Sequence, residues 1–174
     1  CLLEYSYLVK KVLFDIDMLP VIKIISALFV HMFFILLLFI VAICTGQGIS
    51  IFALQIVYYL VAAIYLTYAL GKITSAIILF FRDLGQIVNI ILQIGVWATP
   101  IIWSYTIVPE KFQWIIKLNP MFYIVEGYRD SLYAEQWFWQ KPVLSCYFWA
   151  FTFIVLLIGN KVFNKMKPHF ADVL

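Results

Sequence analysis

Charge is what this chain has least of. Of its 174 residues only 12 are Lys or Arg and 9 are Asp or Glu, while 66% are hydrophobic. The mean hydropathy is +1.02. A soluble globular domain has roughly a quarter of its residues charged and about half apolar. The composition therefore excludes an ordinary soluble domain and points to a multispanning membrane protein. A net charge of +3 is too small to mark a nucleic-acid surface, so no nucleic-acid partner is expected.

Cysteine is also scarce. Cys1, Cys44 and Cys146 are odd in number and far apart, without a C-x-x-C or Cys/His cluster, which argues against both a disulfide framework and a metal site. Cys44 and Cys146 lie in apolar runs and are expected as small buried hydrophobes. There is no initiator Met and no recognisable signal peptide, and the chain begins in mid-pattern, so further sequence is expected upstream. Catalytic motifs are missing too: no G-x-S-x-G, no H-E-x-x-H, and no carboxylate pair beside a nucleophile. Gly71-Lys72 is not a P-loop, because Leu66 and Ile73 stand where that motif needs Gly and Ser or Thr. The expectation is a protein that is not an enzyme and binds no cofactor directly. Any ATP would be handled by a separate polypeptide.

What is present is length in apolar runs. Four segments approach the roughly 20 helical residues that cross a bilayer: about Val21 to Cys44, Ile51 to Leu70, Ile87 to Trp103 and Val143 to Gly159. "TGQGIS" (45–50) reads as a tight polar turn, and "GKITSAIILFFRDLG" (71–85) as the next connection. With the N-terminal end inside, the inner side collects Lys10, Lys11, Lys23, Lys72, Arg82, Lys161, Lys165 and Lys167. The outer side holds Lys111, Lys117, Arg129 and Lys141. That bias places both ends of this chain in the cytoplasm.

The connection at 104–142 is no ordinary loop. "PEKFQWIIKL" (109–118) is helix-like, with Pro109 and Glu110 suited to a first turn. Asn119-Pro120 breaks it and opens a second helical stretch to about Tyr133 or Glu135. At 1.5 Å per residue the two pieces are only about 15 and 20 Å long, too short to span. Trp114, Ile115, Ile116, Phe122, Tyr123, Ile124 and Val125 are nonetheless too apolar for water. Two half-depth re-entrant helices satisfy both constraints.

Polar residues recur at helical spacing. Gln86, Asn89, Gln93, Trp97 and Pro100 share one face of the third span. Such a face either lines a water-filled path or joins helices through its amides. Gln55, Tyr58, Ala62, Tyr65 and Ala69 read as a close-packing seam, and His31 as a hydrogen-bonded packing residue. Glu126, Arg129 and Asp130 share a face with Phe122 and Tyr133. One Arg between two carboxylates there is either an enclosed charge cluster or a solvated face.

Four stretches together resemble the membrane permease of type-2 ABC exporters, in the branch exporting lipid-linked O-antigen, capsule or teichoic-acid polymers. "YLVKKVLFDIDMLPV" (7–21) is similar to the family's coupling helix and the entry to its third span. "FFRDLGQIVNIILQIGVWATPIIW" (80–103) resembles its Arg-Asp turn and fifth span, and "LNPMFYIVEGYRDSLY" (118–133) its outer gate helices. "KPHFADVL" (167–174) resembles its C-terminus. Where the family's coupling segment usually has Phe-Pro, this chain has Phe14-Asp15.

The resemblance implies an all-α integral membrane fold. Four transmembrane helices, spans three to six of a six-span permease, would be joined by two short re-entrant outer helices. The whole of 1–174 would be one permease domain, incomplete at its N-terminus, with a cytoplasmic coupling segment at 1–18 and outer gate helices within 104–142. It further implies a homodimer in the bacterial cytoplasmic membrane, an ABC ATPase partner that uses the ATP, and a lipid-linked glycan substrate. Gln86, Asn89, Gln93 and Trp97 would line the path, and Asn119, Pro120, Glu126, Arg129 and Asp130 would form the outer gate. Lys10, Lys11, Phe14, Arg82 and Asp83 would contact the ATPase, although Lys10-Lys11 equally suits anchoring to anionic membrane lipids. Drug or small-lipid efflux by the same fold, and a membrane enzyme acting on polyprenyl-linked sugars, are the competing expectations.

Overall fold

A computed structural model describes residues 18–46, 48, 50–81 and 83–169. The described residues are helical, with turns between helices and no strand. Helix α1 is Met18–Cys44, α2 is Gln55–Phe80, α3 is Leu84–Ala98, α4 is Glu110–Lys117, α5 is Pro120–Arg129 and α6 is Pro142–Met166. Three helical stretches are long and apolar enough to cross a membrane: Pro20–Cys44, Ile51–Ile78 and Pro142–Met166.

The boundaries follow local chemistry. Helix α1 ends where Thr45 returns its hydroxyl to the carbonyls of Val41 and Ala42. Gly46 then takes a left-handed φ of +76° and donates to the Ile43 carbonyl, a glycine cap that an L side chain would strain. The polar turn expected at 45–50 is thus present at its described residues.

Helix α2 differs from expectation at its far end. It runs through Gly71 to Phe80, so most of the expected connection at 71–85 is helix. A lone glycine costs a helix only about 1 kcal/mol, and no proline follows to stop this one. The hydroxyls of Thr74 and Ser75 are satisfied by the carbonyls of Leu70 and Lys72. Helix α3 is shorter than the Ile87–Trp103 segment expected for it. It has 15 residues, about 22 Å of rise, against a hydrocarbon core of about 30 Å. Thr99-Pro100 ends it, as a residue before proline is pushed from helical geometry.

The described residues fall into two compact units, one holding those up to Leu38, Ile64–Val88 and those from Thr152, the other Phe39–Ala63 and Asn89–Phe151. In the first unit α2 and α6 approach closely through small residues. A Cβ built on Gly159 would lie 3.1 Å from the Ala69 carbonyl oxygen, and Ala69 is fully buried. Close backbone approach at small residues is the usual way helices associate in lipid. Buried Lys72 lies beside this contact and donates to Asn160 Oδ1 at 2.9 Å.

In the second unit the core is aromatic: Tyr59, Phe122, Tyr123 and Phe148 are all buried. The seam expected on α2 is realised with a small rotation. Gln55, Ala62 and Ala69 are buried as expected, but Tyr65 is exposed while Tyr59 and Leu66 turn inward. Cys44 and Cys146 are free and exposed, not buried as expected. An apolar exterior lets a weakly polar thiol face outward at little cost.

Candidate functional site

Helix α5 is built to sit inside the second unit. Asn119 caps it, its Oδ1 accepting from the Met121 amide at 3.0 Å, and Pro120 occupies the first turn. The Asn119 side chain also donates to Thr99 Oγ1 at 2.7 Å, and that hydroxyl donates to the Gly95 carbonyl at 2.7 Å. A chain of two hydrogen bonds through buried Thr99 therefore ties the end of α3 to the start of α5. Along α5, Phe122, Tyr123, Ile124 and Gly127 are buried. At Gly127 an added Cβ would fall onto the Tyr59 ring, so only glycine lets the aromatic core close over this helix.

A hydroxyl network holds the other side. Tyr123 shares hydrogen bonds with Tyr58 at 3.0 Å and with Ser145 at 2.9 Å, and Trp149 Nε1 donates to the Tyr58 hydroxyl at 2.7 Å. Gln55 fastens the loop after α5 by donating to the Gln136 carbonyl at 2.6 Å and accepting from the Phe138 amide at 3.0 Å. Burial pushes the Tyr123 phenol well above its ordinary range, which keeps it a neutral hydrogen-bonding group.

The charges of α5 form two pairs. Arg129 lies 3.6 Å from Glu126 and donates to the carbonyls of Ile101 at 2.9 Å and Trp103 at 3.2 Å. Asp130 accepts from Lys141 Nζ at 2.6 Å. The sequence placed one Arg between two carboxylates; in the structure Asp130 is paired instead with a lysine eleven positions away. The cause is local. After Arg129 the helix loosens into a π turn at Asp130–Ala134 and ends at Glu135 in left-handed geometry, φ +51°.

The solvated-face alternative does not hold for the carboxylates, whose side chains are 13% (Glu126) and 7% (Asp130) exposed. Burial raises the Glu126 pKa, with Asp130 adding to the rise and Lys141 and Arg129 opposing it. Two hollows flank Glu126. One, of about 430 Å³, is lined by Tyr105, Lys117, Phe122, Lys141 and the first turn of α6. The other, of about 390 Å³, is lined by Ser104, Arg129, Asp130 and Tyr133.

The remaining expected site residues are dispersed. Gln86, Asn89, Gln93 and Trp97 are all exposed on α3, Trp97 at 76%. No residue of α3 itself is buried, so neighbouring Ile90, Ile91, Leu92 and Ile94 are exposed as well. The carbonyl of Asp83 accepts from Gln86 and Ile87 amides and so opens α3, while its side chain is exposed. Lys10, Lys11, Phe14 and Arg82 lie outside the described residues. Among the described residues no group of three or more His, Cys, Asp or Glu could hold a metal ion. Gln55, Tyr58, Lys141 and Ser145 hold α5 and the loop after it without any spacing in the sequence that marks them as its partners. The one signal for Lys141 was a lone charge immediately before a long apolar run.

Comparison with known proteins agrees with this architecture. The family model described as ABC-2 type transporter matches residues 18–133. An O-antigen export system permease protein RfbA of Klebsiella pneumoniae is 33% identical over 108 residues, covering 62% of this chain and 40% of the relative. A second protein of that name and organism is 32% identical over the same length. One from Myxococcus xanthus is 26% identical, covering 61% of this chain and 41% of the relative. This chain thus matches about 40% of the length of these curated relatives. With more than half of its residues matched by the family model, the chain belongs to the ABC-2 type transporter family.

Proposed function

We propose that the protein is the membrane permease subunit of an ATP-driven exporter that moves a lipid-linked polysaccharide, O-antigen-like or teichoic-acid-like, out across the cytoplasmic membrane. The observation that carries this reading is similarity to permeases named for O-antigen export, within a family of transport permeases. ATP would be hydrolysed by a separate ABC ATPase, contacted through the Lys10–Phe14 segment and the Arg82-Asp83 turn. The lysine bias supports a reading with both ends of this chain on that inner side.

Two features of the fold support the path. The amides of α3 are exposed on a helix whose apolar residues are exposed too. In hydrocarbon that polar face needs a second copy, another span or a wet passage against it. Amides suit a hydroxyl-rich passenger because they both donate and accept. The α4–α5 pair, tied to α3 through Thr99 and Asn119, is suited to transmit movement of that helix to an outer gate.

Deletion of the gene is the direct test. Finished lipid-linked polymer should accumulate inside the cell. Loss of polymer synthesis would favour an enzyme, and altered drug tolerance with normal surface glycan would favour efflux. Affinity purification of the full-length protein should bring down a P-loop ATPase, and its clean absence would sink the proposal. Gln93→Leu should reduce export while leaving assembly intact; failed assembly would make the α3 face a helix-joining surface.

A further inference from the structure

The 430 Å³ cavity at the start of α6 shares Glu126 with the proposed outer gate, and it lies within the usual size of small-ligand sites, about 300–1,000 Å³. Its depth can be read from its walls. Pro142, Val143 and Leu144 line it and are the first residues of a 25-residue apolar helix, so it sits where that helix leaves the hydrocarbon. Trp137 and Trp139, stacked at 4.5 Å just before Pro142, are the side chains that favour the headgroup layer. Val143 is exposed and adds an apolar wall to the polar lining.

The polar lining carries both signs: Lys117 and Lys141 on one hand, Glu126 on the other, with Gln140 beside them. Lys141 gives Asp130 one hydrogen bond and keeps further donor capacity, since an ammonium has three protons. Lys117 is exposed, with its ammonium 5.8 Å from the centre of the Tyr105 ring. Glu126 retains acceptor capacity, because Arg129 at 3.6 Å is beyond hydrogen-bond range of its carboxylate oxygen. A sugar ring is less well suited. Tyr105 and Phe122 pack edge-to-face on each other at 5.4 Å, and Lys117 covers Tyr105, so the rings are already engaged.

We propose that this cavity binds the headgroup of a phospholipid bearing both a phosphate and a primary ammonium. The phosphate meets Lys117 and Lys141, the ammonium donates to Glu126, and the acyl chains run down past Val143 and Leu144.

The test is native mass spectrometry of the full-length protein, delipidated and then exchanged against vesicles of phosphatidylethanolamine, phosphatidylcholine or phosphatidylglycerol. One phosphatidylethanolamine per chain should be retained, about tenfold more strongly than either other lipid, as expected for one charge-assisted contact. Phosphatidylcholine shares the phosphate but has no N–H to give Glu126. Lys117→Met, at an exposed position, should weaken all three lipids. Glu126→Gln should abolish the advantage over phosphatidylglycerol. Equal retention of the three lipids overturns the proposal. So does a phosphatidylglycerol preference, or release of the lipid by a soluble hexose. Lipid retention is read without export or ATP, so its failure is separable from failure of the transport proposal.

Discussion

Asp130 and Lys141 offer the sharpest check on the physics at the end of α5, because the pair is unequally buried. The Asp130 side chain is 7% exposed and that of Lys141 is 32% exposed, with 2.6 Å between them. Removing one partner of a buried pair typically costs about 3–5 kcal/mol, because a charge is left stranded. Lys141→Met strands the buried carboxylate and should approach that full cost. Asp130→Asn strands only a flexible ammonium that can turn to water, so its cost should fall to about 1–2 kcal/mol, between the exposed and buried regimes. For a chain of this size 1 kcal/mol shifts the melting temperature by about 2–4 °C. Lys141→Met should therefore lower it by about 6–20 °C and Asp130→Asn by about half as much or less.

Thermal unfolding of the purified protein in one detergent reads both variants and their combination. The double variant should be more stable than Lys141→Met alone, since no charge is then stranded. Arg129→Ala with Asp130→Asn should be additive, because Arg129 bonds elsewhere. Asp130→Asn costing as much as Lys141→Met would refute the burial argument. Non-additivity with Arg129 would restore the single three-charge cluster.

Other consequences can be checked on the same preparation. Gly127→Ala drives a methyl into the Tyr59 ring and should cost at least the 1–3 kcal/mol usual for overpacking; Gly127→Ala with Tyr59→Leu should regain part of that loss. Asn119→Ala removes a helix cap and the bond to Thr99 and should cost about 1–2 kcal/mol, whereas Asn119→Asp should keep the cap and lose only the donor. Glu126 is buried with its pKa raised. Its contribution to stability is thus fully present below the ordinary carboxylate pKa and is lost as pH rises through the raised value. Wild type should lose stability relative to Glu126→Gln over that rise, and a constant difference across it would contradict the burial. Tyr58→Phe removes the acceptor of the 2.7 Å bond from Trp149 and the bond to Tyr123 and should cost about 0.5–1.5 kcal/mol per bond.

Much of the architecture was legible because lipid leaves a chain few options. Three runs of apolar residues became long helices, since backbone groups in hydrocarbon must be satisfied within the segment. The break at Asn119-Pro120 was equally plain, as a side chain that caps followed by a residue lacking an N–H can do little else. Helix ends were less so. Nothing in Gly71 announced that α2 would continue, because a small helix penalty is outweighed by packing against α6. The inward residues of α2 were close but rotated, Tyr59 and Leu66 replacing Tyr65. Which of two adjacent stripes turns inward depends on the shape of the partner, not on spacing.

The sequence by itself determined the class of molecule, the places of three long helices, the half-length pair before the last of them and the family resemblance, though not the length of α3 or the far end of α2. These rest on composition and on contacts within a few residues. Only the tertiary structure decided that Asp130 belongs to Lys141 and Arg129 to the carbonyls after α3. It also decided that Asn119 reaches Thr99 and that Gly127 lies under a tyrosine ring. Each is a contact between segments far apart in the chain, and a charge or an amide carries no mark of which distant partner will reach it.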